Sequence, residues 1–245
     1  MLAAWPVGAA SAGTPRVASV LGRAQHDMLV AGCVHLVVRT SSPRPSTIVA
    51  DIGRRSGRET YRNGTAIVNV LVTPRAAYVR GNAAGLRQFV GLTRAQERRV
   101  GDRFVVMRAG TSQYSGFAAN LTVASLAGLL PPSRGVAVHL AGAHRVVLSW
   151  TSTSSAGTSS TALTVRVGAR VLPEVETVHG ALGGGSIRFS RWGRVVRVGA
   201  PAPGRTIAYR AVTGPTSETV RGRCGLWTLA ALRSHRLAFG ERLTR

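Results

Sequence analysis

Between Phe117 and Leu130 the chain carries no charged side chain, and this apolar block is flanked on both sides by short runs whose apolar residues alternate. The spacing predicts one helix over residues 112–130, stopped by Pro131-Pro132. Tyr114, Phe117, Leu121 and Ala124 form one apolar stripe of that helix, while Val123, Leu126 and Leu130 form another. A helix apolar on nearly all sides requires apolar surroundings on nearly all sides. The flanking runs can supply them, because a strand with period two offers one apolar face.

Ahead of the first strands the signals are helical. Thr14 is a candidate N-cap and Pro15 suits the first helical position, where its missing N–H costs nothing. Val17, Val20, Leu21, Ala24, Met28 and Ala31 then fall on one face, and Gly32 is a natural stop. From Cys33 the period changes to two, with Val34, Leu36 and Val38 on one side. Further strands are expected at 46–52, 59–62, 65–73 and 76–80, with Asn63-Gly64 as a hairpin turn. Asn82 is expected to cap a helix over 83–90, and Thr93 with Gln96 makes a capping box for 94–100.

After a short run at 104–107 and the apolar helix, strands are expected at 135–140, 144–150, 161–167, 175–178, 186–192 and 195–198. Residues 152–160 read as a Ser/Thr/Gly loop, and Gly183-Gly184-Gly185 as a turn. Short strands at this spacing form an antiparallel meander and not βαβ units. The fold class is therefore α+β, with about ten strands and a helical block inserted between two sheet halves. One domain is expected over residues 15–209. Residues 1–14, with Ala10-Ser11-Ala12 in an A-x-A pattern, are a candidate signal-peptide remnant or an unstructured N-terminus. Residues 210–245 read as a poorly ordered basic appendage, with a candidate amphipathic helix at 225–239.

All 32 basic residues are Arg, and the formal charge is +23. Without Lys the chain has no P-loop lysine, Schiff-base lysine or lysine general base. Nucleic-acid binders usually concentrate their charge in a stripe, whereas these arginines are spread along the whole chain. Aromatic residues, 5% of the chain, are too sparse to stack single-stranded bases. Specific nucleic-acid binding is not expected. Peripheral attraction to an anionic membrane surface is, at about 1 kcal/mol per basic residue that comes close. No apolar run approaches the ~18 residues needed to cross a bilayer.

Catalytic vocabulary is thin. Two cysteines make neither a disulfide framework nor a zinc site, and no histidine pair has metal-ligand spacing. Glu174 and Glu176 lie on one face of a candidate strand, which reads as a solvated edge, with no partner pair for acid–base work. The glycine run at 180–185 precedes a strand, unlike a dinucleotide-binding turn. No catalytic residue, metal or cofactor is expected. The segment Leu29-Val30-Ala31-Gly32-Cys33 matches a bacterial lipobox, but Arg23, His26 and Asp27 stand where an apolar stretch should precede it. Cys33 is read as a small residue that starts a strand.

One set of motifs is more specific. Ala77-Tyr78-Val79-Arg80-Gly81-Asn82 is followed by Leu86, Phe89, Leu92-Thr93 and then Val100-Gly101-Asp102-Arg103-Phe104. This order resembles actinobacterial lipoproteins of the LppX/LprG type, with Phe104 where that type carries a Trp. Leu172-Pro173-Glu174-Val175-Glu176 and Phe189-Ser190-Arg191-Trp192-Gly193, leading to Ala200-Pro201, are similar to its closing strands. The likeness covers residues 16–209. It implies a LolA/LolB-like fold, a curved antiparallel half-barrel with helices on its concave face. It further implies an apolar cavity for acyl chains, an exported and usually lipid-anchored protein, and no catalytic residues.

The function expected from both lines is non-enzymatic binding and transport of a lipid or glycolipid outside the cytoplasm by a monomer. Tyr114, Phe117, Leu121, Val123, Leu126 and Leu130 would line the cavity from the helix, facing Val68, Val70, Leu148 and Phe189 on strands. The alternative is an extracytoplasmic structural or protein-interaction module in which the same side chains fill a solid core.

Overall fold

The computed structural model describes residues 16–41, 45–118, 121–154, 157–180 and 183–214. The candidate signal remnant, Thr14, Pro15 and the basic segment with its candidate helix at 225–239 lie outside the described residues. Helix α1 (Val17–Ala31) starts from Arg16 and buries Val20, Leu21, Ala24 and Met28, the face its periodicity marks. Gly32 ends it at φ 69° and donates its N–H to Met28 O.

Five antiparallel strands follow as a meander: β1 (Val34–Thr40), β2 (Ser46–Ile52), β3 (Gly57–Asn63), β4 (Ala66–Val72) and β5 (Ala76–Gly81). Asn82 Oδ1 accepts from Gly85 N at 2.9 Å and starts α2 (Ala83–Gly85), which widens into a π turn over Leu86–Val90. Helix α3 (Arg94–Val100) carries the Thr93–Gln96 capping box, and β6 (Phe104–Arg108) pairs with β5.

The expected long helix is two. Helix α4 (Ser112–Ala118) and helix α5 (Val123–Gly128) are separate elements, and Leu121 lies between them. Thr122 breaks the run by capping α5, its Oγ1 accepting from Ser125 N at 3.2 Å. It also bridges Gly53, whose carbonyl accepts from Val123 N at 3.0 Å. The first stripe is thus split, with Tyr114 and Phe117 on α4, Leu121 between the helices and Ala124 exposed on α5, whereas Val123 and Leu126 share α5 and Leu130 lies just beyond it.

The second meander comprises β7 (Ala137–Leu140), β8 (Arg145–Ser154), β9 (Gly157–Arg166), β10 (Leu172–Gly180) and β11 (Gly183–Ser190). The expected loop at 152–160 is largely strand. Ser152 and Ser159 place their hydroxyls 3.0 Å apart across the β8–β9 ladder, so Ser and Thr serve here as strand residues. The expected turn at Gly183–Gly185 is also strand, paired with β10. A Cβ at Gly184 would stand 2.5 Å from Val178 O, which explains a glycine inside a strand. The expected strand at 195–198 is irregular backbone, with Val195 73% exposed. Instead β12 (Thr206–Ala208) pairs parallel with β6 and leads into α6 (Tyr209–Thr213), whose Tyr209 and Val212 are buried. The boundary drawn at residue 209 falls on the first residue of this packed helix.

Among the described residues the strands form one sheet in the order β12-β6-β5-β4-β3-β2-β1-β11-β10-β9-β8-β7. It is antiparallel except at β12, and a single seam between β1 and β11 joins the two meanders. Flat, twelve strands would span about 50 Å, while α4 and α5 are each about 10 Å long. Strand twist curls the sheet so that one face shares a continuous core with α1, α4 and α5.

Candidate functional site: the inner face and its cleft

The register aligns the inward side chains in rows. One row crosses eight strands through Val68, Tyr61, Ile48, Val38, Ile187, Glu176, Leu163 and Leu148, all buried. The next runs through Val70, Glu59, Ala50, Leu36 and Phe189. The four strand residues expected to line a cavity therefore lie on one face, in two adjacent rows. Phe117, Leu121, Val123 and Leu126 are buried in the same cluster, and Tyr114 and Leu130 pack half-buried against it. Tyr114 Oη donates to Thr73 O at 3.0 Å, anchoring α4 to the end of β4.

Two carboxylates on this face were not expected. Glu176 is fully buried, and Glu59 is 5% exposed, with no hydrogen-bond partner for its Oε2. Burial pushes the Glu59 carboxyl up to about 7. The alternation Glu59, Tyr61, Asn63 signals the placement, since the intervening Arg58 and Arg62 are exposed. A β-bulge between Pro173 and Val175 separates Glu174 from Glu176, which corrects the expectation of a solvated pair. Glu174 pairs with Arg145 at 2.7 Å and Arg166 at 3.8 Å.

A cleft of about 870 Å³ opens beside β10 and β11. Phe189 and Trp192 stack in its wall at 6.2 Å between centroids, with Val167, Leu172 and Pro173 adding apolar surface. Trp192 Nε1 donates to Pro173 O at 3.0 Å. Of the ten expected lining residues, Phe189 alone borders this cleft. Arg166, Arg170 and Arg191 line it as well.

On the other side of Arg191 lies a crevice of about 290 Å³, bordered by His35, Asp51, Arg58, Arg194 and Arg197. Burial alone would raise the Asp51 carboxyl. Hydrogen bonds from His35 (2.7 Å) and Arg58 (2.8 Å), together with their charge, outweigh it and hold Asp51 below its ordinary range. Arg191 borders both spaces, and among the described residues it alone has positive φ without being glycine, at 53°. That conformation costs about 1–2 kcal/mol for a side chain with a Cβ.

Leu29–Ala31 form the last turn of α1, Gly32 is its cap, and the Cys33 carbonyl accepts from Gly193 N at 3.0 Å. Among the described residues no group of three or more His, Cys, Asp or Glu is placed to hold a metal ion. None of the described helices is long and apolar enough to cross a membrane.

These features define an α+β protein with a large, mostly antiparallel sheet closed over short helices, and an aromatic, arginine-lined cleft at one end. Among solved structures the chain is similar to LprF from Mycobacterium bovis, at 16% identity over 78% of this chain and 100% of that one, with a TM-score of 0.45. It is also similar to the Mycobacterium tuberculosis lipoprotein LppX, at 13% identity over 74% and 99% of the two chains, with a TM-score of 0.38. LprF and LppX are of the lipoprotein type that the sequence motifs resemble. No family model and no curated protein matches the chain.

Proposed function

We propose that this protein is a non-enzymatic carrier holding the acyl chains of a lipid or lipoglycan, working as a monomer outside the cytoplasm beside an anionic membrane surface. The observation that carries this reading is the position of Phe189. Its ring belongs to the inward row with Leu36 and also borders the open cleft of about 870 Å³. That volume lies within the roughly 300–1,000 Å³ typical of small-molecule sites. An acyl chain entering there meets Trp192, Leu172 and Val167 first and the inner face next. Each buried CH₂ contributes about 0.8 kcal/mol, so apolar area alone supplies affinity. The cover over that face comprises α1 and the two short helices α4 and α5, with Leu121 between the last two. Tyr114, Phe117, Leu121, Val123, Leu126 and Leu130 on this cover, with Val68, Val70 and Leu148 opposite, would then lie along the chain's path.

A second reading has its own support. Nine of the ten residues line neither space and pack together in the common core, as a filled structural or protein-interaction module requires. Native mass spectrometry of protein purified from an actinobacterial host, followed by organic extraction, separates the two. The carrier reading expects a discrete added mass that extracts as lipid. A bare protein mass, together with no uptake of a fluorescent fatty acid, transfers the assignment to the filled module.

A further inference from the structure

We infer that the turn at Arg191 forms a binding site for a phosphate-class anion, built across the two spaces that this residue separates. Arg170, Arg191, Arg194 and Arg197 line those spaces, and among the described residues none of their side chains makes a hydrogen bond or ion pair with a carboxylate. The acids in the same walls are already engaged, Asp51 by His35 and Arg58 and Glu174 by Arg145 and Arg166. The positive charge facing the two spaces is thus uncompensated within the fold. Guanidinium groups are suited to this ligand because their planar fork matches two phosphate oxygens.

The turn is also fixed in place. Gly193 N donates to Cys33 O at 3.0 Å, Arg194 N to Arg191 O at 3.2 Å, and Trp192 Nε1 to Pro173 O at 3.0 Å. A Cβ at Gly193 would stand 4.0 Å from Arg170 Nη1, so the Arg170 guanidinium lies against the same turn. The left-handed backbone at Arg191 holds that residue between the two spaces, a strained conformation of the kind that clusters at ligand sites. A chain of charge +23 attracts anions everywhere. The Arg191 site differs because four exposed arginines without carboxylate partners border two adjoining openings around one fixed turn. The Phe189–Trp192 stack beside it would accept the apolar part of an amphiphile, so the phosphate is either free or carried on a lipid headgroup. The inference does not depend on a hollow interior.

The test uses the full chain at constant ionic strength, with inorganic phosphate in calorimetric titration. A second arm uses vesicles of equimolar phosphatidylcholine and phosphatidic acid in sedimentation, against phosphatidylcholine alone. Arg191→Gly removes the guanidinium while glycine accepts the left-handed backbone, and Arg98→Met on exposed α3 is the charge control. Arg191→Gly is expected to weaken binding about tenfold, as loss of a charge-assisted pair does, and Arg98→Met less than about twofold. Arg191-dependent binding of inorganic phosphate that competes with the vesicles supports one site serving both sources. Arg191-dependent vesicle binding without phosphate binding supports the headgroup as the source. Equal effects of the two substitutions, or no effect in either arm, overturn the proposal. Protein that carries extractable lipid yet fails both arms leaves the carrier reading standing, so the two failures are distinguishable.

Discussion

The Asp27 carboxylate accepts a hydrogen bond from the Val171 backbone N–H at 2.7 Å, across 144 positions of chain. It ties α1 to the connection between β9 and β10, while the same helix packs against α5 and β10. One acidic side chain therefore fixes the first helix over the second meander. The charge that interrupts the apolar run of α1 has a structural use in the folded protein.

Replacing Asp27 by Ala should lower stability by about 1.5–3 kcal/mol, the usual worth of a hydrogen bond to a charged group. Asp27→Asn keeps an acceptor and should lose less. Urea denaturation of the three proteins measures this, with unchanged slopes showing that only stability has moved. Equal midpoints for the wild type and the Ala variant would show that the bond contributes nothing.

Glu59 gives stability a pH dependence. Its carboxyl is raised from 4.5 to about 7 by burial, so between those values the folded protein keeps a proton that the unfolded chain has released. Stability should fall as pH rises through that window, by about 3 kcal/mol in all, and stay at its lower level above it. Glu59→Gln should remove this slope, matching the wild type near pH 4 and exceeding it near pH 8. Parallel denaturation curves at the two pH values are the measurement, and a wild type with no slope across the window counts against it.

Gly57 sits beneath the join between α4 and α5. A Cβ there would stand 2.8 Å from Leu121 O, which is backbone and has little room to yield. Gly57→Ala should therefore cost about 1–3 kcal/mol by overpacking. The loss should be local as well, with faster amide exchange at Val123, whose N–H donates to Gly53 O. Unaltered exchange at Val123 would mean that this join does not bear on β3.

Arg191→Gly and Arg191→Ala remove the same guanidinium but differ at the backbone. Relief of the left-handed strain favours Gly by about 1–2 kcal/mol, and its extra unfolded entropy offsets about 0.5–1 of that. The Gly variant should be the more stable of the two by roughly 1 kcal/mol. Paired thermal melts decide it, and equal melting temperatures would argue against strain at this position.

Much of the fold was legible because its signals are local. The α1 face, the Thr93–Gln96 capping box and the Asn63-Gly64 hairpin each depend on residues within a few positions of one another. The misses share a different cause. Thr122 reads as one more helical residue until Gly53, far away in sequence, offers its carbonyl to Val123. The Ser/Thr run at 152–160 reads as a linker until its described residues pair across β8 and β9. At the candidate site, alternation alone placed Val68, Val70, Leu148 and Phe189 on a common face. Arg191 gave no sign, since a left-handed backbone between a strand end and a glycine is set by the contacts of the turn, not by the residue's own preference.

The β1–β11 seam is the most non-local strand pairing among the described residues. His35 opposes Ser190, a separation of 155 residues, whereas the ladders within each meander mostly join sequence neighbours. Each meander can zip from its own hairpins, but the seam must wait for a loop closure that spans most of the chain. Until then the inward rows of both halves face water and the edges of β1 and β11 are unpaired. The expected slow step in acquiring the native state is thus the meeting of two half-finished sheets, whose unpaired edges favour self-association.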